Sequence, residues 1–507
     1  MKKTILTVLV LCAAMVANAQ SISEIELNQA RAIWLGSGNA AGISSAGLLD
    51  FNDVSLNFEG QSGAFTHSYG AASQQDYSLK GRTVTELAGF KIAADLLLDR
   101  SSLKDAAFNS SIYEVNPAVR PYWFLDYTTE GYDWKRGNYA ADVKVASPLL
   151  LDGRLAAGAN IKVDAKTAAR EADISASYSS VAIEFAPSAV FRIDEGNTVG
   201  AAIRFSNIPE KSIFSCGQVE EGVDVVTFSR GLGQYLARHI NGVNPLGDVS
   251  YKNKYTGVSL QYDKNTAESD LLLDLGLTKG NSYIYGGERN LTAIDDISTD
   301  FTLKHLKGAA RNRIFTLAAQ YRQQYGYDNT FYSDIHTFES ASVKLLLNYT
   351  VYFGAPTTTY SWFMGLRADA SYLSQKRYLP DGLFKAPEVL PSMVLGKNTA
   401  LGADSELMWS LRVGYHMSFG ADYSFGTPKV SEDKDKEPEI NLLSTMLYSD
   451  EYYFLKQYYY LAAPQVRYST KVNGRLSAYA LLQGSFIKPV EAEGARLAGG
   501  VSLGIIF

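Results

Sequence analysis

The stretch LMWSLRVGYHMSFG at residues 407–420 alternates apolar and polar side chains almost without interruption. Leu407, Trp409 and Leu411 begin one face, and Ser410 and Arg412 lie on the other. A period of two indicates a β-strand, and this run is far longer than the usual globular strand of about 5–6 residues. A tilted strand needs about 9–11 residues to cross a bilayer. The stretch therefore indicates a strand that spans a membrane with its apolar face toward lipid.

The same alternation recurs along the chain. It is present at residues 155–163, 199–205, 271–277, 343–353 and 360–372. Aromatic residues stand at both ends of the apolar faces, as at Tyr360 and Tyr372, and the chain has 33 Tyr and 23 Phe. Such residues form the girdles of membrane barrels, whereas the core of a large soluble all-β protein, the alternative, usually has few aromatic ends. We predict an all-β protein, a transmembrane antiparallel β-barrel.

The beginning of the chain has the features of an export signal. Lys2 and Lys3 precede an apolar run at residues 5–16, and Ala17 and Ala19 give the small-x-small pattern of a cleavage site. The run is too short for a membrane-spanning helix, which needs roughly 20 residues. Leu11 before Cys12 disfavours a lipid-attachment site. We predict cleavage just before Gln20.

The chain stops on an aromatic residue at the end of an alternating face. Leu497, Val501, Leu503, Ile505 and Phe507 share that face. This ending resembles the terminal strand by which outer-membrane barrels are recognised for insertion. The resemblance implies that Phe507 is the C-terminal insertion signal, that the barrel-assembly machinery and outer-membrane lipid are partners, and that the protein is integral to the cell outer membrane.

The sequence predicts three parts. Residues 1–19 form the cleaved signal peptide, residues 20–50 form an N-terminal tail or plug, and residues 51–507 form the barrel. Ile25, Gln29, Ile33 and Trp34 fit one face of a helix, so a short plug inside the barrel and a tail outside it remain equally open. We count about 18 strands, and 14 or 16 remain open.

The connections between strands predict the orientation of the barrel, because short turns face the periplasm and longer loops face outward. The predicted periplasmic turns are at residues 194–197, 265–267, 308–310, 354–356 and 472–474. The predicted outer loops are at residues 206–252, 279–296, 324–336 and 380–403. Residues 99–117 and the charged run at 431–437 become longer periplasmic turns, the latter only if residues 440–448 form a strand.

Composition excludes several functions. The net charge of −6 argues against a nucleic-acid partner. The five histidines include no metal-binding pair, and Cys216 is the one cysteine beyond the signal peptide. His416 lies on the polar face beside Ser410 and Ser418, where a polar lumen residue is a better interpretation than a Ser–His couple. We therefore predict a protein that is not an enzyme and has no cofactor.

If the apolar faces meet lipid, the charged residues between them must face the lumen. The main lumen-facing candidates are Arg204, Asp274, Arg322, Lys344, Arg367, Asp369 and Arg412, with Asp142, Lys144, Arg154, Lys162 and Glu184 beside them. Basic residues are in excess in this set, which fits a pore that favours anionic solutes. Alternatively, opposite charges pair across the lumen and close it, which the inward Leu346, Tyr352, Phe363 and Tyr479 favour.

The signal, the segment from Trp34 to Gly42, the strands rich in Tyr and Gly and the terminal Phe507 together resemble an uncharacterised family of Bacteroidota outer-membrane β-barrels. The resemblance implies a place beside a TonB-dependent receptor or a surface lipoprotein, and it implies no catalytic residues. A weaker likeness is to the long-chain fatty-acid transporters, whose N-terminal hatch also has an Asn followed by small residues. Asn39 here lacks the proline expected after it.

Two functions follow from these observations. The first is passage of a small solute across the outer membrane, as in a porin-like transport barrel. The second is a closed barrel that binds a partner or serves as a structural component of a surface uptake system.

Overall fold

The structure is a computed structural model. It describes residues 21–45, 47–67, 69–106, 124–126, 131–170, 174–216, 225–229, 235–239, 249–287, 289–328, 336–354, 359–378, 381–424, 451–474 and 476–507. The predicted signal peptide lies outside the described residues.

The described chain begins with one α-helix and a 3-10 helix and continues as β-strands, with a further helical stretch at residues 451–456. The helices are α1 (Ile22–Arg31) and η1 (Ala40–Ser45). The strands are β1 (Phe51–Ser62), β2 (Ala71–Leu87), β3 (Phe90–Ala106), β4 (Phe124–Asp126), β5 (Tyr132–Ala146), β6 (Leu155–Arg170), β7 (Ile174–Arg192), β8 (Asn197–Cys216), β9 (Val225–Ser229), β10 (Tyr235–His239), β11 (Val249–Asn265), β12 (Ser269–Gly286), β13 (Arg289–Lys307), β14 (Arg313–Asp328), β15 (His336–Phe353), β16 (Trp362–Tyr378), β17 (Asp381–Ala400), β18 (Ser405–Ser418), β19 (Asp422–Ser424), β20 (Tyr459–Asn473), β21 (Leu476–Pro489) and β22 (Arg496–Ile506).

Eighteen of these strands form one closed antiparallel barrel, which confirms the predicted count of about 18. Each long strand pairs with the next along the chain, and β1 pairs with β22 to close the ring, with Asp53 opposite Ile506. Asn52 and Phe507 complete the seam by exchanging backbone hydrogen bonds of 2.9 and 3.0 Å. Closure leaves no free sheet edge, as a hydrocarbon surrounding requires. The short β4, β9 and β10 pair with one another outside the ring.

The two ends of the barrel differ in their connections. At the turn end, β2 and β3 are joined by Ala88 and Gly89 alone, both with positive φ (51° and 84°), as a type I′ hairpin turn requires. The predicted short turns at 194–197, 265–267, 308–310 and 472–474 lie at this end. Of the predicted turn at 354–356, Gly354 follows β15 at this end, and the other two residues lie outside the described residues. The longest connections, between β3 and β5, between β8 and β11 and between β18 and β20, lie at the other end, the loop end.

Four predicted connections are wrong in extent or position. Residues 279–296 and 380–403 are not long loops, because β12 continues to Gly286 and β17 covers Asp381–Ala400. In these parts of β12 and β17 polar residues occur on both faces, so the strands continue beyond the part of the barrel that lipid surrounds. The predicted loop at 206–252 is shorter, because β8 continues to Cys216 and β11 begins at Val249. Residues 99–106 are not part of a periplasmic turn, because they belong to β3, which runs toward the loop end. Residues 107–117 and the charged run at 431–437 lie outside the described residues. The predicted strand at 440–448 lies outside the described residues.

The outer surface carries an apolar belt. Leu275 (55%) and Leu503 (58%), which were predicted to face lipid, are exposed, and so is Leu260 (63%) on the outward face of β11. Their neighbours on the opposite face point into the barrel, where Ser502 is buried. No helix among the described residues has the length and hydropathy of a membrane-spanning helix. The outer face of the strands is therefore apolar, like the lipid-facing surface of a membrane barrel, and the polar face lines the interior.

A charge placed in this belt tests the assignment of the faces. We expect Leu260→Lys to lower the free energy of unfolding in lipid vesicles by about 2–4 kcal/mol, because the ammonium group would face hydrocarbon. Val472→Lys is the matched control, since Val472 is similarly exposed (58%) but lies beside the turn at Asn473. Denaturant titration measures both. Equal losses for the two variants would contradict the belt.

Candidate functional site

The turn end of the lumen is occupied by residues 21–45, which we call the plug segment. Its helix α1 begins at Ser21, whose hydroxyl accepts a hydrogen bond from the Glu24 amide at 3.2 Å. Ser21-Ile22-Ser23-Glu24 is a capping-box sequence, which favours a helix start at this point. Side chains of the plug segment or its carbonyl groups contact the wall around the whole ring. The wall partners include Arg82 (β2), Lys144 (β5), Ser188 (β7), Asp263 (β11), Lys304 (β13), Glu406 (β18) and Arg467 (β20).

One side of α1 is held by charged wall residues. The Glu26 carboxylate pairs with the Arg467 guanidinium and accepts a hydrogen bond from the Tyr360 hydroxyl at 2.9 Å. Burial raises the pKa of Tyr360, and the neighbouring Glu26 acts in the same direction, so the hydroxyl stays a donor. One turn earlier, the Ser23 hydroxyl donates to Glu406 at 2.7 Å. These contacts fix the helix against β18 and β20.

Asn39 is the most connected residue of the plug segment. Its side-chain amide is fully buried and donates to the Ala189 and Ala201 carbonyls of the wall at 3.0 and 3.2 Å and to Gln261 at 2.8 Å. Its carbonyl oxygen accepts from the Ala41 amide at 3.0 Å. Leaving such buried groups unpaired costs about 1–3 kcal/mol each, so Asn39 fixes the segment in one position.

Trp34 and the residues after it complete the polar contacts. The buried Trp34 indole donates to Asp263 at 3.0 Å. The Lys144 ammonium donates to the carbonyls of Leu35 and Ser37 at 2.7 and 2.9 Å. The Ser37 hydroxyl donates to the predicted lumen residue Asp274 at 2.7 Å. The segment from Trp34 to Gly42, which carried the family resemblance, therefore binds the wall, as α1 does.

The wall is apolar where the plug segment packs. Ile22, Ile25 and Ile43 cluster with inward side chains of β2, β3, β5 and β22, among them Val84 and Ile506. A second cluster joins Ile33, Trp34 and Ala41 to Ala156, Val190, Leu272, Leu306 and Ile314. These inward residues were missed by the sequence analysis. Their signal is a loss of alternation near the turns, as at Leu271-Leu272-Leu273, where both faces are apolar.

A wall glycine makes room for the plug segment. A side chain at Gly158 of β6 would place its Cβ 2.5 Å from the Ala41 backbone nitrogen. Ala41 itself is fully buried. The close approach of two backbones explains why glycine occupies this inward position.

The structure brings three of the predicted lumen residues together. Arg367 donates to Asp369 at 2.6 and 2.7 Å, and Arg412 donates to the same carboxylate at 3.1 Å and to Ser392 at 3.0 Å. The group lies on β16, β17 and β18, loop-side of the plug segment. Its charges are largely paired with one another, although 40% of the Arg367 side-chain surface is exposed.

The other predicted lumen residues are dispersed around the wall. Arg204 lies 3.6 Å from Glu184, and Arg322 pairs with the buried Asp296. Lys344 is exposed to the lumen. Arg154 is exposed in the turn before β6, so its predicted place in the lumen is wrong. The role of Phe507 as an insertion signal stays a prediction.

The lumen lacks the predicted excess of basic residues among its described inward positions. Additional inward carboxylates, identified from strand register, are Asp53, Asp95, Asp164, Glu210, Asp263, Asp296, Asp300, Glu388 and Glu406. These carboxylates are absent from the set predicted from the sequence, because that set covered the polar faces of only some strands. An interior with both charges in comparable number gives no reason for strong anion selectivity.

Cavities lie on both sides of the plug segment. One of about 850 Å³ runs along β1, β2, β3, β5 and β6 from Arg82, which contacts the plug segment, to Gln74 near the loop end. Another of about 490 Å³ is lined by Lys344, Asp369 and His416. A third of about 350 Å³ lies at the turn end beside Ser21. The plug segment therefore separates polar spaces at the two ends of the barrel.

Among the described residues, no serine is a hydrogen-bond partner of His416. Its ring nitrogens contact the Gln457 carbonyl at 2.8 Å and Glu388 at 3.2 Å, while Ser371 donates to Glu388. Ser418 donates to the Pro387 carbonyl instead. No group of three or more metal-ligating side chains is arranged around a common point among the described residues. The lumen chemistry found here is that of hydrogen bonding and ion pairing.

Removing the Asn39 amide should loosen the plug segment. We expect trypsin to cleave after Arg31 at least about tenfold faster in folded Asn39→Ala than in the unaltered protein, because undocking would then cost about 1–3 kcal/mol less. Asn57→Ala is the control, since Asn57 contacts only its own strand pair. Mass spectrometry of the shortened chain gives the rate. Equal cleavage of all three proteins would contradict the role of Asn39.

The similarity of the fold to solved structures is low. BauA, the ferric preacinetobactin receptor of Acinetobacter baumannii, is 10% identical with a TM-score of 0.40, covering 90% of this chain and 80% of BauA. The outer membrane protein OpdK of Pseudomonas aeruginosa is 11% identical with a TM-score of 0.33, covering 90% and 99%. The CymD monoaromatic hydrocarbon channel is 10% identical with a TM-score of 0.29, covering 97% and 94%. At these values the likeness is one of general architecture.

Sequence comparison identifies the family. No curated protein sequence matches the chain. A Bacteroidota origin and the likeness to fatty-acid transporters stay predictions. A family model matches residues 40–507, which include η1 and the whole barrel. The chain belongs to DUF6850, a family of unknown function.

Proposed function

We propose that this protein is integral to the outer membrane and passes small polar solutes through its lumen when the plug segment moves. The observation that carries the proposal is the position of the plug segment, which among the described residues lies between the polar cavity at the turn end and those toward the loop end. The apolar belt supports the membrane location, because exposed leucines on adjacent strands require a hydrocarbon surrounding.

The contacts of the plug segment suit a gate. Its polar anchors are ion pairs and hydrogen bonds, as at Glu26 with Arg467 and Ser37 with Asp274, which water can replace when the segment moves. A wide barrel supports this reading as well, since barrels of 16–18 strands enclose an aqueous channel unless something fills it. With both charges on the wall, passage would be weakly selective among small ions.

A closed barrel that binds a partner is the second candidate. The observation in its favour is the three-stranded sheet of β4, β9 and β10, which two loop-end connections build outside the ring. Such a structure offers an ordered surface to a TonB-dependent receptor or a surface lipoprotein. A barrel that never conducts would favour this function.

Conductance across a planar bilayer separates the two candidates. We expect the unaltered protein to open rarely, and Asn39→Ala/Lys144→Ala to open at least about tenfold more often, because both changes remove anchors of the plug segment. A locked variant, Ser37→Cys/Asp274→Cys in a Cys216→Ser background, should be silent when oxidised and conduct after reduction.

The control for the lock is the Ser37→Cys single variant in the same background, which oxidation should leave unchanged. Heat-modifiable electrophoretic mobility shows that each variant is folded. A folded Asn39→Ala/Lys144→Ala variant that stays as silent as the unaltered protein would contradict gated passage and direct attention to the loop-end sheet.

A further inference from the structure

Three lysines lie on the outward face of two neighbouring strands near the loop end. They are Lys252 and Lys254 of β11 and Lys279 of β12, and all are exposed. We call this surface the lysine face. The inward neighbours of these residues, such as Asn253, are buried.

Strand register places the lysine face directly beside the apolar belt. Val258 of β11 stands between Ile203 and Leu277, and all three are exposed. One outward position nearer the loop end, Thr256 is opposite Lys279, and the next outward position is Lys254. The charges therefore begin within one or two outward positions of the last apolar row.

Within the described parts of β8, β11 and β12, no outward position around the lysines carries a carboxylate. Those positions are Asn207, Pro209, Ser250, Thr256, Asn281, Tyr283 and Tyr285. The nearest outward carboxylate, Asp295 of β13, lies opposite Asn281 and accepts a hydrogen bond from its amide. The positive charge of the face is thus not balanced within these strands.

The arrangement matches a phosphate group at the membrane surface. Outward positions on one strand are about 6–7 Å apart, and diagonal positions on neighbouring strands about 7–8 Å, so flexible ammonium groups can meet on one anion. Lys252 also lies 4.5 Å from the Tyr285 ring centroid, which keeps its charge near the interface. Interfacial tyrosines mark the depth at which lipid headgroups lie.

We propose that the lysine face binds the phosphate of an outer-leaflet glycolipid, whose acyl chains pack on Ile203, Val258 and Leu277. A lipid fits better than a soluble anion because charge and apolar surface are continuous at this place. The inference rests on the membrane location in the proposed function and is independent of solute passage.

Native mass spectrometry of the folded protein in nonionic detergent tests the site. The probe is a phosphorylated diglucosamine lipid, with phosphatidylcholine as the zwitterionic reference. We expect Lys252→Gln/Lys254→Gln/Lys279→Gln to bind the glycolipid at least about tenfold more weakly, since each lysine near an anionic lipid surface contributes to the attraction.

The control removes three outward charges at the turn end, in Lys264→Gln/Lys307→Gln/Arg313→Gln, and should bind as the unaltered protein does. Unchanged glycolipid binding in the lysine-face variant, or an equal loss in the control, would overturn the site. Displacement of the glycolipid by excess inorganic phosphate would overturn the lipid as its ligand. Conductance is recorded in a separate experiment, so the glycolipid-binding result can be interpreted even if the protein does not show gated passage.

Discussion

Backbone hydrogen bonding in a medium without water is the constraint on which this structure depends. Each strand must pair with a neighbour along both of its edges. The first and last strands, β1 and β22, meet this requirement by pairing with each other. Side-chain alternation follows from it, because the face toward lipid must be apolar and the other face then lines a lumen. With eighteen strands the ring is wide, and its interior needs water or protein to fill it.

Protein fills one part of the interior, and polar space that water can enter makes up the other. Toward the turn end, inward apolar residues such as Leu272 and Ile314 are covered by Ile33 and Trp34 of the plug segment. Toward the loop end, the wall carries charged groups that pair locally, as Arg367, Asp369 and Arg412 do, and faces polar cavities. The boundary between dry and wet interior is the place where movement of the plug segment would change permeability.

Much of the fold was predictable from the sequence, because a period of two and short turns depend on neighbouring residues. The alternation around Trp409 and the Asn473-Gly474 turn predicted strands and their direction correctly. The ends of β12 and β17 were not predictable, since polar rims alternate weakly. Nor was the burial of Asn39, whose partners Ala189 and Gln261 lie 150 and 222 residues away in the chain. The helical face was correct for Ile25, but α1 ends at Arg31, so Trp34 reaches Asp263 from the turn that follows.

Docking of the plug segment inside the lumen is tested most directly by hydrogen–deuterium exchange of the folded, membrane-reconstituted protein. We predict that amides of residues 22–45 exchange as slowly as those of the adjoining strands, because the segment is buried and hydrogen-bonded to the wall. Exchange of residues 22–45 at the rate of an unprotected chain, with the strands still protected, would show that this segment does not close the lumen.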